Sequence, residues 1–202
     1  MRADNRMTKA RNVFLQAGGT LRTYQALQLG IHPETLYTMR DEGMLERVSR
    51  GLYRLSGLPA LSDPDLLPVS LRVPGGVLCL ISALSFHQLT TEIPHEVYLA
   101  LKRGAEPPRL EYPPLRVFWF TGAAFTEGVG THVVDTVPVR VYSPEKTIAD
   151  CLKYRNKLGL DVALEALKLY RDRGHMKIEE LLHFARVCRV EKIMRPYLEV
   201  LA

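Results

Sequence analysis

Glycine and proline cut the first quarter of this 202-residue chain into short pieces. A helical run, Ala10-Arg11-Asn12-Val13-Phe14-Leu15-Gln16-Ala17, stops at Gly18-Gly19. A second, Thr23 to Leu29, stops at Gly30. Ile31-His32 then leads to Pro33, which opens a third run, Glu34 to Glu42, ended by Gly43. Leu45 to Leu55 follows with apolar and polar residues roughly alternating around Ser49-Arg50-Gly51, the pattern of a half-buried hairpin.

Each break has a physical cause. The Thr23 hydroxyl is suited to cap the second helix. Gly30 and Gly43 suit the left-handed position that follows a helix. Pro33 suits a first helical position, where its missing N–H costs nothing. Leu36 and Met39 lie three apart and so share the face turned to a small core. Glu34, Thr35, Tyr37, Thr38 and Asp41 are left pointing outward, with Arg40 near the boundary. The order helix, helix, turn, helix, hairpin predicts a winged helix-turn-helix. In such a unit the third helix enters the major groove. Thr35, Tyr37, Thr38 and Arg40 are the expected base contacts. Arg47, Ser49 and Arg50 are expected at phosphate or the minor groove, with His32 touching phosphate at the helix entrance.

Charge supports that reading. The net charge is +5. Residues 1–57 hold nine cations against five carboxylates, and eight of the nine are Arg, whose forked donors match phosphate and guanine. The rest of the chain is nearly neutral. A basic face on a helix-turn-helix pattern favours nucleic acid over a merely solvated surface.

The opening residues lack the pattern of a secretory signal, and no run approaches the ~18 apolar residues of a membrane span. Cys79, Cys151 and Cys188 are odd in number and far apart, which fits buried thiols in a reducing cytoplasm better than a disulfide framework.

The sequence predicts an α+β chain: an N-terminal winged helix-turn-helix over 1–57, then a mixed domain over 58–202 with a small sheet and C-terminal helices. Ser56 to Asp65 reads as a linker and Pro64 to Arg72 as a helix. Val77 to Leu80 is a strand or a lead-in to the helix that Ser82 is expected to cap. Val97 to Leu101, Leu115 to Phe120, Gly128 to Val134 and Val137 to Tyr142 read as strands, the last two joined around Asp135-Thr136. Ser143-Pro144-Glu145 is a helix start, and helical stripes continue through Leu160 to Tyr170, Ile178 to Val187 and the final segment.

Three segments in this order resemble the AbiEi antitoxins, the DNA-binding half of abortive-infection type IV toxin–antitoxin systems. The first ends Gly43-Met44-Leu45-Glu46-Arg47-Val48-Ser49-Arg50-Gly51-Leu52-Tyr53-Arg54. The second is Ile81-Ser82-Ala83-Leu84-Ser85-Phe86-His87-Gln88-Leu89-Thr90, followed by Ile93-Pro94. The third is Val137-Pro138-Val139-Arg140-Val141-Tyr142-Ser143-Pro144-Glu145-Lys146-Thr147-Ile148-Ala149-Asp150. The resemblance implies a nucleotidyltransferase-like toxin encoded beside this gene and opposed without a stable complex. It also implies autorepression through promoter repeats, and antitoxicity housed in the second domain. It assigns that activity to no residue.

Other chemistries are weaker. The six histidines show no HxxxH spacing and the cysteines no CxxC, so neither a metal nor a cofactor is expected. His87, on an apolar run, reads as a hydrogen-bonded core residue, and Cys151 as inert packing. No GxSxG elbow or P-loop occurs, and Ser143 is explained as a cap. A metal nuclease is the nearest enzyme reading, through Asp135, Glu145 and Lys146. Glu145 and Lys146 are adjacent at a helix start, however, so they diverge by about a third of a turn. The basic residues Lys102, Arg103, Arg116 and Arg140 read as a solvated sheet face. The reading that results is a non-enzymatic, cytoplasmic repressor of a toxin–antitoxin operon that binds double-stranded DNA. A stand-alone regulator with a ligand- or partner-sensing second domain, and a nuclease or transferase with a DNA-binding adaptor, are the alternatives.

Overall fold

The computed structural model describes residues 2–135 and 137–201, with side chains described for 5–135 and 137–200. It forms two compact units. The first comprises residues 1–68 with 134–137, the second 69–133 with 138–202. Thr136, at the expected strand junction, lies outside the described residues.

The first unit begins with α1 (Arg2–Gln16), which starts well before the expected Ala10. Its Ala10 and Phe14 are buried. A strand that sequence periodicity did not reveal, β1 (Thr20–Arg22), follows. Then come α2 (Thr23–Gln28), α3 (Pro33–Asp41), β2 (Leu45–Ser49) and β3 (Leu52–Leu55). The strands form an antiparallel sheet in the order β1-β3-β2, with Leu21 opposite Tyr53 and Leu45 opposite Leu55.

Thr23 does not cap α2. It is the first helical residue, and its hydroxyl donates to the Gly51 carbonyl at 3.3 Å, tying the helix to the hairpin turn. The α2 N-terminus is instead closed by Gln25, whose Oε1 accepts from the Arg22 N–H at 2.9 Å. Gly30 and Gly43 do take the left-handed conformation, at φ 85° and 74°. Ile31 N–H reaches back to the Ala26 carbonyl and Met44 N–H to that of Met39, which fixes the chain direction after each helix. Phe14, Ala26, Ile31, Leu36, Met39, Leu45 and Tyr53 make one core. Burying each large apolar side chain contributes about 1.5–3 kcal/mol.

Helix α4 (Leu66–Arg72) leads to β4 (Val77–Leu78) and α5 (Leu80–Phe86). Strands β5 (Val97–Lys102) and β6 (Leu115–Phe120), the short α6 (Ala123–Thr126), β7 (Val129–Val134) and β8 (Val137–Tyr142) come next. The chain ends with α7 (Pro144–Lys153), α8 (Arg155–Leu158), α9 (Leu160–Asp172), α10 (Ile178–Val187) and α11 (Glu191–Leu201).

The second sheet has the order β6-β5-β4-β8-β7, with β5 antiparallel to β4 and parallel to β6, and β4 parallel to β8. Ser82 is not a cap. Cys79 precedes α5, and the buried Ser82 Oγ accepts from the Tyr98 N–H at 2.9 Å. Ser143 does cap α7, its Oγ accepting from the Lys146 N–H at 3.3 Å. The core packs Leu80, Leu84, Tyr142, Ile148, Leu152 and Leu167 among other apolar residues. Among the described residues, no helix is long and apolar enough to cross a membrane.

Candidate nucleic-acid interface

The α2–α3 pair has the geometry of a helix-turn-helix. Gly30 ends α2, Ile31 anchors the turn in the core, and Pro33 is the first residue of α3. Leu36 and Met39 are fully buried and orient α3. His32 is the N-cap, its Nδ1 accepting from the Glu34 N–H at 3.3 Å. That leaves Nε2 of the exposed ring to carry the proton and face solvent.

The outward residues of α3 are not equivalent. Glu34, Tyr37, Arg40 and Asp41 are exposed, whereas Thr35 and Thr38 are half-buried. The Thr38 hydroxyl donates to the Glu34 carbonyl at 2.8 Å, so its proton is used inside the helix while its oxygen can still accept. Arg40, expected at the boundary, is exposed and held on two sides. Its Nη2 lies 2.6 Å from Asp41 Oδ1, and its guanidinium sits 5.2 Å from the centre of the Tyr37 ring. The Asp41 hydrogen bond raises the Arg40 pKa further.

In the wing, the register shifts between Arg47 and Ser49. Arg47 Nε donates to the Ser49 carbonyl at 3.4 Å, and Ser49 itself is half-buried. Arg50 is exposed at the turn, with no ion pair among the described residues. Arg54 differs from both. Only 8% exposed, it binds Glu46 at 2.9 Å and donates to the Pro59 carbonyl, which makes it a structural residue.

Within the first quarter the charge is unevenly placed. Residues 34–57 carry Arg40, Arg47, Arg50 and Arg54 against Glu34, Asp41, Glu42 and Glu46, and so are neutral. The excess lies upstream, with Arg2, Arg6, Lys9, Arg11 and Arg22 against Asp4 alone.

The residues weighed for a nuclease are each engaged elsewhere. Asp135 accepts from the Ser62 N–H at 2.8 Å and from its hydroxyl at 3.1 Å. Glu145 is buried and accepts from the Tyr170 hydroxyl, with Lys177 Nζ 3.9 Å away. Lys146 turns inward to Asp150 at 2.5 Å and lies 4.3 Å from the centre of the Tyr142 ring. His87 Nε2 donates to the Tyr142 carbonyl at 2.7 Å, and burial pushes its pKa down. All three cysteines are free and buried, and burial pushes their thiols up. The Cys188 thiol donates to Asp150 Oδ1 at 3.1 Å.

Comparison with known proteins agrees with the first unit's architecture. Residues 9–56 match the family model described as "Transcriptional regulator, AbiEi antitoxin". No curated protein matches. Among solved structures, the RV2827C protein from Mycobacterium tuberculosis is similar, with a TM-score of 0.58 at 17% identity over 88% of this chain and 71% of that chain. At that identity the likeness is one of fold.

Proposed function

We propose that this chain, whose winged helix matches the AbiEi antitoxin regulators, is a DNA-binding antitoxin that represses its own operon. Helix α3 lies in the major groove, with Thr35, Tyr37, Thr38 and Arg40 at base edges. Arg47, Ser49 and Arg50 of the wing, and His32 at the helix entrance, meet the backbone or the minor groove. The observation that carries this reading is the α3 face: Leu36 and Met39 fully buried behind exposed polar side chains, within the residues that match the family. The second unit opposes a nucleotidyltransferase-like toxin in the cytoplasm, without a stable complex and without catalysis of its own.

A reporter driven by the DNA upstream of the gene tests the repression. The full chain lowers its output, and a Thr35→Ala/Arg50→Ala variant releases it. Unchanged output in both cases refutes autorepression. Antitoxicity is tested by co-expressing the full chain with a nucleotidyltransferase encoded beside it, where restored growth is expected.

One observation favours a second reading. The family match ends at residue 56, before the second unit begins to build its own sheet. A stand-alone regulator with a partner-sensing second unit fits that limit. Its mark is a gene neighbourhood without a nucleotidyltransferase and full repression in the absence of any toxin.

A further inference from the structure

We propose that the exposed face of α1 centred on Arg6 and Lys9 is the surface by which this chain grips the DNA backbone, beside the helix that reads the bases. The inference rests on the DNA-binding reading above and adds the element that supplies most of the charge.

Affinity for duplex DNA comes mainly from cations that neutralise phosphates. Helix α3 and the wing cannot provide many. Their residues are neutral in sum, Arg40 is paired with Asp41, and Arg54 is buried against Glu46. Arg47 and Arg50 remain. Helix α2 offers none, since Thr23–Gln28 holds no Lys or Arg.

Helix α1 is built differently. No carboxylate occurs between Asn5 and Pro33. Arg6, Lys9 and Arg11 are exposed, and among the described residues no carboxylate pairs with them. Arg6 and Lys9 lie three apart and share a face. Asn5, Lys9, Asn12 and Gln16, all exposed, follow the i, i+4, i+7, i+11 spacing of one stripe. That stripe is about 17 Å long and consists of amides and a cation able to donate to phosphate oxygens.

The adjoining buried face, about 40–140° round the helix from Arg6 and Lys9, explains the location. Ala10 and Phe14 bury α1 in the core that also holds Leu36 and Met39, so α1 packs against α3. Packed helices lie about 8–10 Å apart, and the major groove is about 12 Å wide. Because Leu36 and Met39 turn away from the exposed side of α3, α1 stands behind the groove-reading helix by about that spacing, and long Arg and Lys side chains on its flank are what reach the bordering backbone. Arg11 is turned about 140–160° round the helix from Arg6 and Lys9, and so serves as an internal control of equal charge.

The test is binding of the full chain to a 30-base-pair duplex from upstream of its gene, and to a shuffled duplex, across a range of salt. Arg6→Gln/Lys9→Gln should flatten the slope of log Kd against log salt by about 1.8 units. It should weaken both duplexes by the same factor and leave the melting temperature in place. Arg6→Lys/Lys9→Arg should keep the wild-type slope, and Arg11→Gln should move it by far less than one unit. An unchanged slope in the double Gln variant, a slope lost only together with the fold, or an equal effect per charge at Arg11 overturns the assignment to this face. Wild-type protein that binds neither duplex overturns the DNA-binding reading itself, a different result from binding that ignores Arg6 and Lys9.

Discussion

Lys146 and Asp150 meet at 2.5 Å inside the second unit, where their side chains are 0% and 2% exposed. The aromatic faces of Tyr142 and Phe120 lie over the ammonium at 4.3 and 5.0 Å, and the Cys188 thiol donates to the carboxylate. Burial pushes the Asp150 carboxyl up while Lys146 opposes that shift. The cluster joins one turn of α7 to the end of α10. It is a structural ion pair, placed where a catalytic lysine had been conceivable from sequence.

Breaking such a pair leaves a lone charge in the core. Lys146→Met should therefore cost about 3–5 kcal/mol. Adding Asp150→Leu should recover most of that loss, because an apolar pair of similar volume needs no partner. Denaturant unfolding of the single and double variants checks this. A double variant as unstable as the single one would show that the pair carries stability of its own.

Arg54, buried in the first sheet, and Arg50, exposed at the hairpin turn, part ways. Arg54→Ala should destabilise the first unit by about 1–3 kcal/mol, through the lost charged hydrogen bonds to Glu46 and Pro59. Arg50→Ala should leave the melt unchanged and lower the salt slope by about one unit. Thermal melts beside DNA titrations separate them, and a stable Arg54→Ala protein with a lowered slope would reverse the assignment.

Asp41 restrains Arg40 at 2.6 Å. Asp41→Asn removes one negative charge from the α3 face and frees a cation. Binding to shuffled DNA should then tighten and its salt slope steepen, by about one unit for the freed arginine. Weaker non-specific binding would mean that Asp41 holds Arg40 in its contacting position.

His87 gives a pH dependence. Burial lowers its pKa, and the neighbouring His132 and Arg173 act in the same direction, while the Tyr142 carbonyl and Glu145 act against them. A base whose folded pKa is depressed binds its proton less readily when folded than when unfolded. Its contribution is intact above the unfolded pKa of about 6.5 and is lost as pH falls from there towards the folded value. Melting temperatures should drop between pH 7 and pH 5.5 in the wild type and drop less in His87→Gln, which keeps a donor for Tyr142. Identical profiles would remove His87 as the cause.

Much of the first unit was legible because its signals are local. Pro33, Gly43 and the Leu36–Met39 spacing each act within a turn of α3, so sequence alone placed it correctly. Strand β1 was not legible. Its three residues have little pattern of their own, and it exists because its backbone pairs with β3, 30 to 34 residues later. Thr23 and Ser82 looked like caps by residue type, but tertiary partners, the Gly51 carbonyl and the Tyr98 N–H, claimed their hydroxyls. Lys146 and Asp150 stand at ion-pair spacing in the sequence, yet nothing local says that spacing faces the core. The wing's Arg50 and Arg54 are alike in sequence, and only packing makes one a surface residue and the other a strut.

Sequence-specific DNA binding through α3 is tested most directly by fluorescence anisotropy. The full chain is titrated, at physiological salt, against a duplex from upstream of its gene and against a shuffled duplex of the same composition. The expected result is tighter binding to the upstream duplex by about 10³-fold or more, with Thr35→Ala narrowing the gap and leaving the shuffled duplex unaffected. Equal affinity for the two duplexes, or binding to neither, would contradict it.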